Sequence, residues 1–210
     1  MTRSVTRRRR LINQMIHLEL WPTLAFVVMM LSWLAFVLTF LFHKRPPSPP
    51  DQKRDPSSII GIVFQGLGYA IVWTIRRSWF TPMFPNKSLE IGLAVLTMIL
   101  AIFSVWFCSA AIRTLGTQWS LAARVVEGHN LVTEGPYGIV RNPIYTGMFG
   151  MLLATGLAVS HWIGLAIAIV VFALGTFIRV RSEERLLREM FGPEFDAYAR
   201  KIPAVIPFLI

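Results

Sequence analysis

Hydrophobic and polar positions are segregated along this chain into long blocks. Five apolar blocks stand out, separated by charged residues, prolines and turn-forming residues. They cover residues 21–42, 59–75, 89–111, 144–160 and 163–178. An α-helix needs about 17–25 mostly apolar residues to cross a membrane. The pattern therefore predicts an all-α integral membrane protein with about five transmembrane helices.

The last two blocks predict a helical hairpin, because only His161 and Trp162 separate them. Each arm is about 25 Å long at 1.5 Å per residue, which is slightly short of a full hydrocarbon core. A hairpin returns the chain to the membrane face that it left. The loop 112–143 and the charged tail that begins at Arg179 are therefore expected on the same face.

The composition supports a membrane protein, and the positions of the basic residues indicate what the net positive charge binds. The chain is 54% hydrophobic, and its 21 basic and 11 acidic residues give a formal net charge of +10. The basic residues flank the apolar blocks, which indicates lipid headgroups and membrane orientation rather than nucleic acid as the partner. The single cysteine, Cys108, cannot form an intramolecular disulfide, and the four histidines lack metal-ligand spacing. No metal site is predicted.

The segment LVTEGPYGIVRNPIYTG, residues 131–147, differs from the apolar blocks on either side of it. Asparagine followed by proline is typical of an N-cap and a first helical residue, so Asn142 and Pro143 predict a helix start. A helix N-terminus also offers free N–H groups to an anion. The helix start accounts for these two residues, but it does not account for Arg141 or Tyr145.

The segment RVRSEERLLREM follows the last apolar block directly. Arg179 and Glu183 are four residues apart, so they share a helix face and are able to form an intrahelical ion pair. Two points weigh against that pair: arginine before glutamate is the poorer orientation, and a charge continuing from an apolar span calls for a partner of its own. Glu184 and Arg188 have the better orientation and form the predicted surface pair.

These two segments resemble the signature of the isoprenylcysteine carboxyl methyltransferase family and its phospholipid methyltransferase relatives. The loop is similar to LV-x-x-G-x-Y-x-x-x-R-H-P-x-Y-x-G, and the tail is similar to the family's R-x-x-x-E, FG-x-x-Y and IP elements. The resemblance covers roughly residues 112–209. The chain departs from the pattern at Asn142, where the family has histidine, and at Phe195, where it often has tyrosine.

The resemblance implies S-adenosylmethionine as the cofactor, bound in a non-Rossmann pocket at the cytosolic face. It implies that Arg179 is catalytic and faces the acceptor carboxylate. The predicted cofactor-binding residues are His129, Leu131, Val132, Tyr137, Arg141, Asn142, Pro143, Tyr145 and Glu183. The chain then divides into an N-terminal region with about three spans, residues 1–111, and a catalytic region, residues 112–210, that holds the cofactor loop, the hairpin and an amphipathic tail.

The predicted activity is methyl transfer to a lipidic or prenylated small-molecule or peptide acceptor, with a carboxylate as the favoured group. Methyl transfer is an in-line displacement that needs proximity, alignment and exclusion of water. Phospholipid N-methylation also fits the pattern, although an amine acceptor requires deprotonation and no base is apparent. An NADPH-dependent isoprenoid or sterol reductase and a non-catalytic membrane scaffold are the alternatives from other classes.

A cytosolic cofactor places the loop and the tail in the cytosol, at the inner membrane in a bacterium or the endoplasmic reticulum in a eukaryote. Of the 21 basic residues, 13 lie on that side of the predicted spans and 8 on the other. The total agrees with the positive-inside rule. Five spans place the arginine-rich N-terminus outside, so the first span has the least certain orientation.

Overall fold

Helices form nearly all of the structure, a computed structural model that describes residues 19–42, 51–55, 57–119, 124–126 and 130–206. In chain order the elements are α1 Leu20–Phe42, β1 Asp51–Arg54, α2 Ser57–Thr74, α3 Lys87–Leu115, β2 Arg124–Val126, α4 Pro143–Val159, α5 Trp162–Phe191 and α6 Pro193–Lys201. Two 3₁₀ turns lie at Gly116–Gln118 and Gly135–Gly138. The predicted all-α fold is confirmed, apart from a small two-stranded sheet that the sequence did not indicate.

The helices α1, α2, α3 and α5 are long and apolar enough to cross a membrane. The helix α4 is also apolar but has only 17 residues, in agreement with the short hairpin arm that the sequence predicts. Each of the five helices begins within two residues of its predicted block. The main difference is in α5, which continues as one 30-residue helix from its apolar block through the charged segment.

Contacts between helix ends place the linker before α2, the loop before α4 and the charged end of α5 on one face of the bundle. Asp55, just before α2, accepts a hydrogen bond from Ser182 of α5. Arg141, just before α4, forms an ion pair with Glu184 of α5. The loop and the tail therefore share the end of the bundle that the hairpin predicts, which we call the site face.

The two short strands also lie at the site face. Strand β1 pairs with β2 in antiparallel orientation, with Asp51 opposite Val126, Lys53 opposite Val125 and Arg54 opposite Arg124. This pairing joins the linker between α1 and α2 to the loop between α3 and α4. The linker is rich in proline, which disfavours a helix, and its backbone groups gain partners from another strand instead.

Small residues set the distances between the helices. Helix α2 packs most extensively on α5, and α3 packs most extensively on α4, whereas the two hairpin arms contact each other less. A Cβ atom at Gly175 would lie 2.7 Å from the carbonyl oxygen of Gly61, and one at Gly147 would lie 2.4 Å from Sγ of Cys108. The glycines of the hairpin therefore allow α2 and α3 to approach closely.

On the opposite face, Arg77 closes the C-terminal end of α4. Its guanidinium donates to the carbonyl oxygens of Leu157 at 2.7 Å and Ala158 at 2.8 Å, and also to that of Ser160. The carbonyls of a last helical turn have no partner within the helix. Burial lowers the pKa of Arg77 to about 10, so the group remains cationic at neutral pH. Arg77 thus provides hydrogen-bond donors for the carbonyl oxygens at the C-terminal end of α4.

We expect Arg77→Lys to lower the free energy of unfolding by about 1–3 kcal/mol, because lysine keeps the charge but cannot reach several carbonyls with one planar group. Thermal unfolding in detergent measures the effect. Arg76→Lys is the matched control: Arg76 is exposed and lies 4.5 Å from the centre of the Trp79 ring, where lysine still provides a cation. Equal losses in the two variants would contradict the capping role of Arg77.

Candidate active site

The candidate site is built on the part of α5 that extends beyond its apolar block. Positions three and four residues apart share a helix face. Arg179 and Ser182 are buried on this extension, and Glu183 is half-buried. Three neighbours cover these side chains: Asp55, which precedes α2, Gly61 of α2 and Tyr145 of α4. The charged segment is therefore packed against the bundle and is not a free surface helix.

Arg179, Glu183 and Tyr145 meet in one group, which we call the Arg179 cluster. Nη2 of Arg179 lies 3.2 Å from Oε1 of Glu183. The hydroxyl of Tyr145 donates a hydrogen bond to the same oxygen. The guanidinium carbon of Arg179 lies 4.9 Å from the centre of the Tyr145 ring. Three of the predicted site residues are thus brought together, two from α5 and one from α4.

The structure forms the Arg179–Glu183 pair that the sequence disfavoured. Helix orientation alone argues against it, but Tyr145 of the neighbouring helix holds the Glu183 carboxylate within reach of Arg179. Arg179 and Tyr145 are only 5% and 4% exposed, whereas the side chain of Glu183 is 28% exposed. Charges interact more strongly in such a shielded place than in water. The side of the cluster that is open to its surroundings is therefore the side of Glu183.

The 3₁₀ turn Gly135–Gly138 brings a second tyrosine towards this cluster. Gly135 has a φ of +57°, a conformation that glycine adopts readily and that lets the chain turn sharply. Tyr137 is buried, and its burial and the nearby Glu183 carboxylate raise the pKa of its hydroxyl well above the usual range. Tyr198 of α6 donates to the Tyr137 carbonyl oxygen at 2.7 Å. Helix α6 thereby holds the turn in place.

Helix α4 begins where the sequence predicts, with Asn142 as N-cap and Pro143 as its first residue. The expected cap by the Asn142 side chain is wrong, because that side chain makes no capping hydrogen bond. Its amide instead donates to the carbonyl oxygen of Ala204 at 3.0 Å and to Oε1 of Glu184 at 3.4 Å. Ala204 belongs to residues 202–205, the part of the chain after α6, which we call the C-terminal tail. Because the Asn142 side chain points towards the C-terminal tail, it points away from the first turn of α4.

Arg141 fastens this tail to the start of α4. Its Nε lies 2.8 Å from Oε1 of Glu184. Its Nη1 donates to the carbonyl oxygen of Ala199 at 2.7 Å and also to that of Ile202. One guanidinium therefore links the loop before α4, the extension of α5 and the end of α6. In the structure Arg141 contacts protein groups on all three segments, which gives it an architectural role.

The predicted surface pair between Glu184 and Arg188 is wrong. Glu184 pairs with Arg141, and their side chains are only 15% and 13% exposed. Arg188 pairs with Asp196 of α6 at 2.8 Å. Helix α6 turns back against α5 through the fully buried Phe195, which supplies Arg188 with a new partner. Spacing within one helix identifies only intrahelical neighbours and not partners from segments that return to it.

Three of the remaining predicted residues, Leu131, Val132 and Pro143, lie in the described part of the loop and at the start of α4. Leu131 and Val132 are half-buried just before the 3₁₀ turn, and Pro143 is buried at the start of α4. His129 lies outside the described residues. The part of the loop that lies beside the Arg179 cluster is therefore its second half, from the 3₁₀ turn to the start of α4.

Asp55 contacts the same site but was not predicted from the sequence. Its Oδ2 accepts a hydrogen bond from Ser182 at 2.7 Å and an ion-pair contact from Arg185. The Ser182 hydroxyl, followed by Ser57 and Arg185, holds the pKa of the Asp55 carboxyl far below its usual range. Asp55 and Ser182 are 127 residues apart, so no spacing relates them. The one local signal is that Asp-Pro-Ser is a helix-start pattern.

Comparison with known proteins identifies the region that carries this geometry. Residues 93–194 match the sequence profile of the phospholipid methyltransferase family. The matched region, just under half of the chain, is similar to that family. All ten predicted site residues lie within the match, whereas Asp55, Tyr198 and residues 202–205 lie outside it.

Proteins similar to this region come from plants, fungi and bacteria. Protein-S-isoprenylcysteine O-methyltransferase B of Arabidopsis thaliana is 34% identical over 102 residues, 47% of this chain and 51% of the relative. The protein-S-isoprenylcysteine O-methyltransferase of Saccharomyces cerevisiae is 32% identical over 119 residues, 55% and 49% of the two chains. The nickel-cobalt-cadmium resistance protein NccN of Alcaligenes xylosoxydans is 36% identical over 112 residues, 52% and 51% of the two chains. The chain spans about half the length of these curated relatives.

We expect Glu184→Gln to loosen the C-terminal tail and to lower the free energy of unfolding by about 1–3 kcal/mol, because Arg141 loses a shielded charge partner. Thermal unfolding and limited proteolysis at the C-terminus measure the two effects. Glu194→Gln is the control, since Glu194 is exposed in the first turn of α6. Indistinguishable behaviour of the two variants would contradict the role of the Arg141–Glu184 pair.

Proposed function

We propose that the protein is a membrane methyltransferase that transfers the methyl group of S-adenosylmethionine to a carboxylate on a lipidic acceptor. The observation that carries the proposal is the Arg179 cluster, which lies within the family match at the end of the apolar helices. Residues 112–210 form the catalytic region in this proposal. The isoprenylcysteine methyltransferases among the relatives support a prenylated acceptor.

The side chains of the cluster fit such a cofactor. The reactive sulfonium is a cation, and the Glu183 carboxylate is the exposed anion of the cluster. The aromatic rings of Tyr137 and Tyr145 are suited to contact a cation. We assign these three residues to cofactor binding. When bound, S-adenosylmethionine supplies the electrophilic methyl group.

Arg179 is the residue that we assign to the acceptor. Its guanidinium is planar and matches a carboxylate with two parallel hydrogen bonds. A carboxylate is already nucleophilic at neutral pH, so the acceptor oxygen displaces a neutral thioether from the methyl carbon without prior proton loss. The task of the protein is then to align the acceptor and to exclude water. The buried surroundings of Arg179 suit that task.

Phospholipid headgroup methylation is the second candidate, favoured by the family match itself. In that reaction Arg179 would bind the headgroup phosphate, which also accepts bidentate hydrogen bonds. An amine acceptor must lose a proton, and Glu183 is the carboxylate of the cluster that is placed to accept it. The two reactions therefore use the same residues and differ in their dependence on pH.

The site face is assigned to the cytosol, where the cofactor is made. The linker, the loop, the charged end of α5 and α6 are assigned to this face, and 13 of the 21 basic residues belong to these segments. This distribution supports the orientation through the positive-inside rule. Four apolar helices long enough to cross a membrane make the protein multi-pass.

Calorimetry with S-adenosylhomocysteine and a transfer assay with radiolabelled S-adenosylmethionine test the proposal on protein in lipid nanodiscs. S-farnesylcysteine with its amine acetylated is the carboxylate probe, and nanodiscs with or without phosphatidylethanolamine provide the amine probe. Transfer to S-farnesylcysteine supports the first candidate, and transfer to phosphatidylethanolamine supports the second. Thermal stabilisation by NADPH without any response to S-adenosylhomocysteine would overturn both.

We expect Glu183→Gln to weaken S-adenosylhomocysteine and S-adenosylmethionine binding while the fold is retained. Loss of a shielded charge-assisted contact costs about 1.5–3 kcal/mol, or roughly 10- to 150-fold in affinity for the cationic cofactor. Binding of S-adenosylhomocysteine should be affected less, because this product lacks the sulfonium charge. Glu194→Gln is the matched control. Equal weakening of the two ligands would show that Glu183 does not respond to the sulfonium.

We expect Arg179→Lys to lower turnover by one to two orders of magnitude, roughly the effect of a small misplacement in the site, while cofactor affinity changes little. Lysine keeps the charge but loses the bidentate geometry. Kinetics with S-farnesylcysteine, with calorimetry on the same preparation, separate the two effects. A loss of cofactor affinity equal to that of Glu183→Gln would mean that the two residues act only as an ion pair.

A further inference from the structure

Helix α2 reaches the Arg179 cluster from a part of the chain outside the family match. At Gly61 a Cβ atom would lie 2.4 Å from Cγ of Arg179 and 2.7 Å from the carbonyl oxygen of Gly175. The second of these neighbours is backbone, which cannot rotate away. The absence of a side chain at Gly61 therefore creates the space in which the aliphatic part of Arg179 lies.

Asp55 holds the same stretch of α5 from one turn further along. Its Oδ1 accepts hydrogen bonds from the backbone and side chain of Ser57 at 3.0 and 2.7 Å. Its Oδ2 accepts one from Ser182 at 2.7 Å and a contact from Arg185. Asp55 and Ser182 are only 7% and 3% exposed. One buried carboxylate thus joins the start of α2 to the extension of α5.

The position of Ser182 explains what this link does. An α-helix turns by about 100° per residue, so the direction of Ser182 fixes the directions of its neighbours. With Ser182 held towards the start of α2, Arg179 one turn before it lies over Gly61. Glu183, the next residue, then points towards Tyr145 of α4, where its carboxylate accepts the tyrosine hydroxyl.

We propose that Asp55 and Gly61 are positioning residues of the active site, which set the rotation of α5 so that Arg179 and Glu183 meet Tyr145. The linker before α2 is then a functional part of the site, although it precedes the catalytic region 112–210. The consequence for catalysis rests on the proposed function. The geometric part, the placement of Arg179, does not.

Carbon-13 NMR of protein labelled at the arginine guanidinium carbon tests the geometric part. The Arg179 signal, assigned by its loss in Arg179→Lys, reports the ring of Tyr145 and the Glu183 carboxylate beside it. We expect this signal to shift in Asp55→Asn and in Gly61→Ala. It should stay in place in Asp196→Asn, which removes an exposed partner of Arg188, and in Gly66→Ala, where a Cβ meets nothing within 4 Å.

Methyl transfer to S-farnesylcysteine and S-adenosylhomocysteine affinity, measured on the same four variants, test the catalytic part. We expect Asp55→Asn and Gly61→Ala to lower turnover on the order of 10- to 100-fold and the two controls to retain it. Gly68→Ala separates the placement of Arg179 from the stability of the fold. Its Cβ would lie 3.0 Å from Cβ of Phe172, so it strains the packing of α2 on α5 at a place remote from Arg179. At matched loss of thermal stability, it should retain more turnover than Gly61→Ala.

An unmoved Arg179 signal in both Asp55→Asn and Gly61→Ala would overturn the positioning role. A shifted signal with unchanged turnover would also overturn it, because the placement of Arg179 would then not matter to the reaction. A wild-type protein that neither binds S-adenosylhomocysteine nor transfers methyl groups would instead refute the proposed function, and the NMR result would still decide the geometry. Asp55→Asn keeps the test decisive if Gly61→Ala does not fold.

Discussion

A buried arginine at the end of an apolar helix is the constraint on which the site depends. Arg179 is only 5% exposed, and a charge in such a place is costly unless anions and hydrogen-bond acceptors surround it. The Glu183 carboxylate and the face of the Tyr145 ring meet that need, and the absence of a side chain at Gly61 of α2 leaves room for the aliphatic part of Arg179. The arginine can therefore stay where it is only while α2, α4 and α5 keep their relative positions.

Those positions are fixed by close helix approach and by polar contacts within the apolar part of the bundle. Glycines bring α5 against α2 and α4 against α3. The Trp33 indole donates to the Thr155 hydroxyl at 2.9 Å, and the Tyr69 hydroxyl donates to the Met148 carbonyl oxygen at 2.7 Å, which ties α1 and α2 to α4. Each such bond contributes about 0.6–2 kcal/mol in a membrane. The N-terminal helices thus support a site whose predicted residues all lie in the C-terminal half.

Periodic and compositional signals revealed the spans and the helix start at Pro143, because each depends on short-range rules, whereas Tyr145 and Glu183 were named as site residues only by the resemblance to a family. The partners of Arg141, Glu184 and Arg188 could not be predicted in this way. Their partners come from the tail and α6, which return to α5 only after folding. Asp55 was missed for the same reason, since its function depends on a residue 127 positions away. Sequence spacing describes one element at a time, and this site is made where several elements meet.

The Arg179–Glu183 pair also suits the charge changes of the proposed reaction. In the proposed reaction a cation lies beside Glu183 and a carboxylate beside Arg179, so the cluster stays neutral. Each residue then has a ligand as its partner in place of the other residue, and no charge is left unpaired in a shielded place. Methyl transfer to a carboxylate yields a neutral thioether and a neutral ester, which removes both ligand charges at once. Arg179 and Glu183 then regain each other as partners, at the 3.2 Å separation seen in the structure. In the proposed reaction the same ion pair would therefore favour release of the products, whereas the product of an amine acceptor keeps a positive charge and would not give Glu183 the same release.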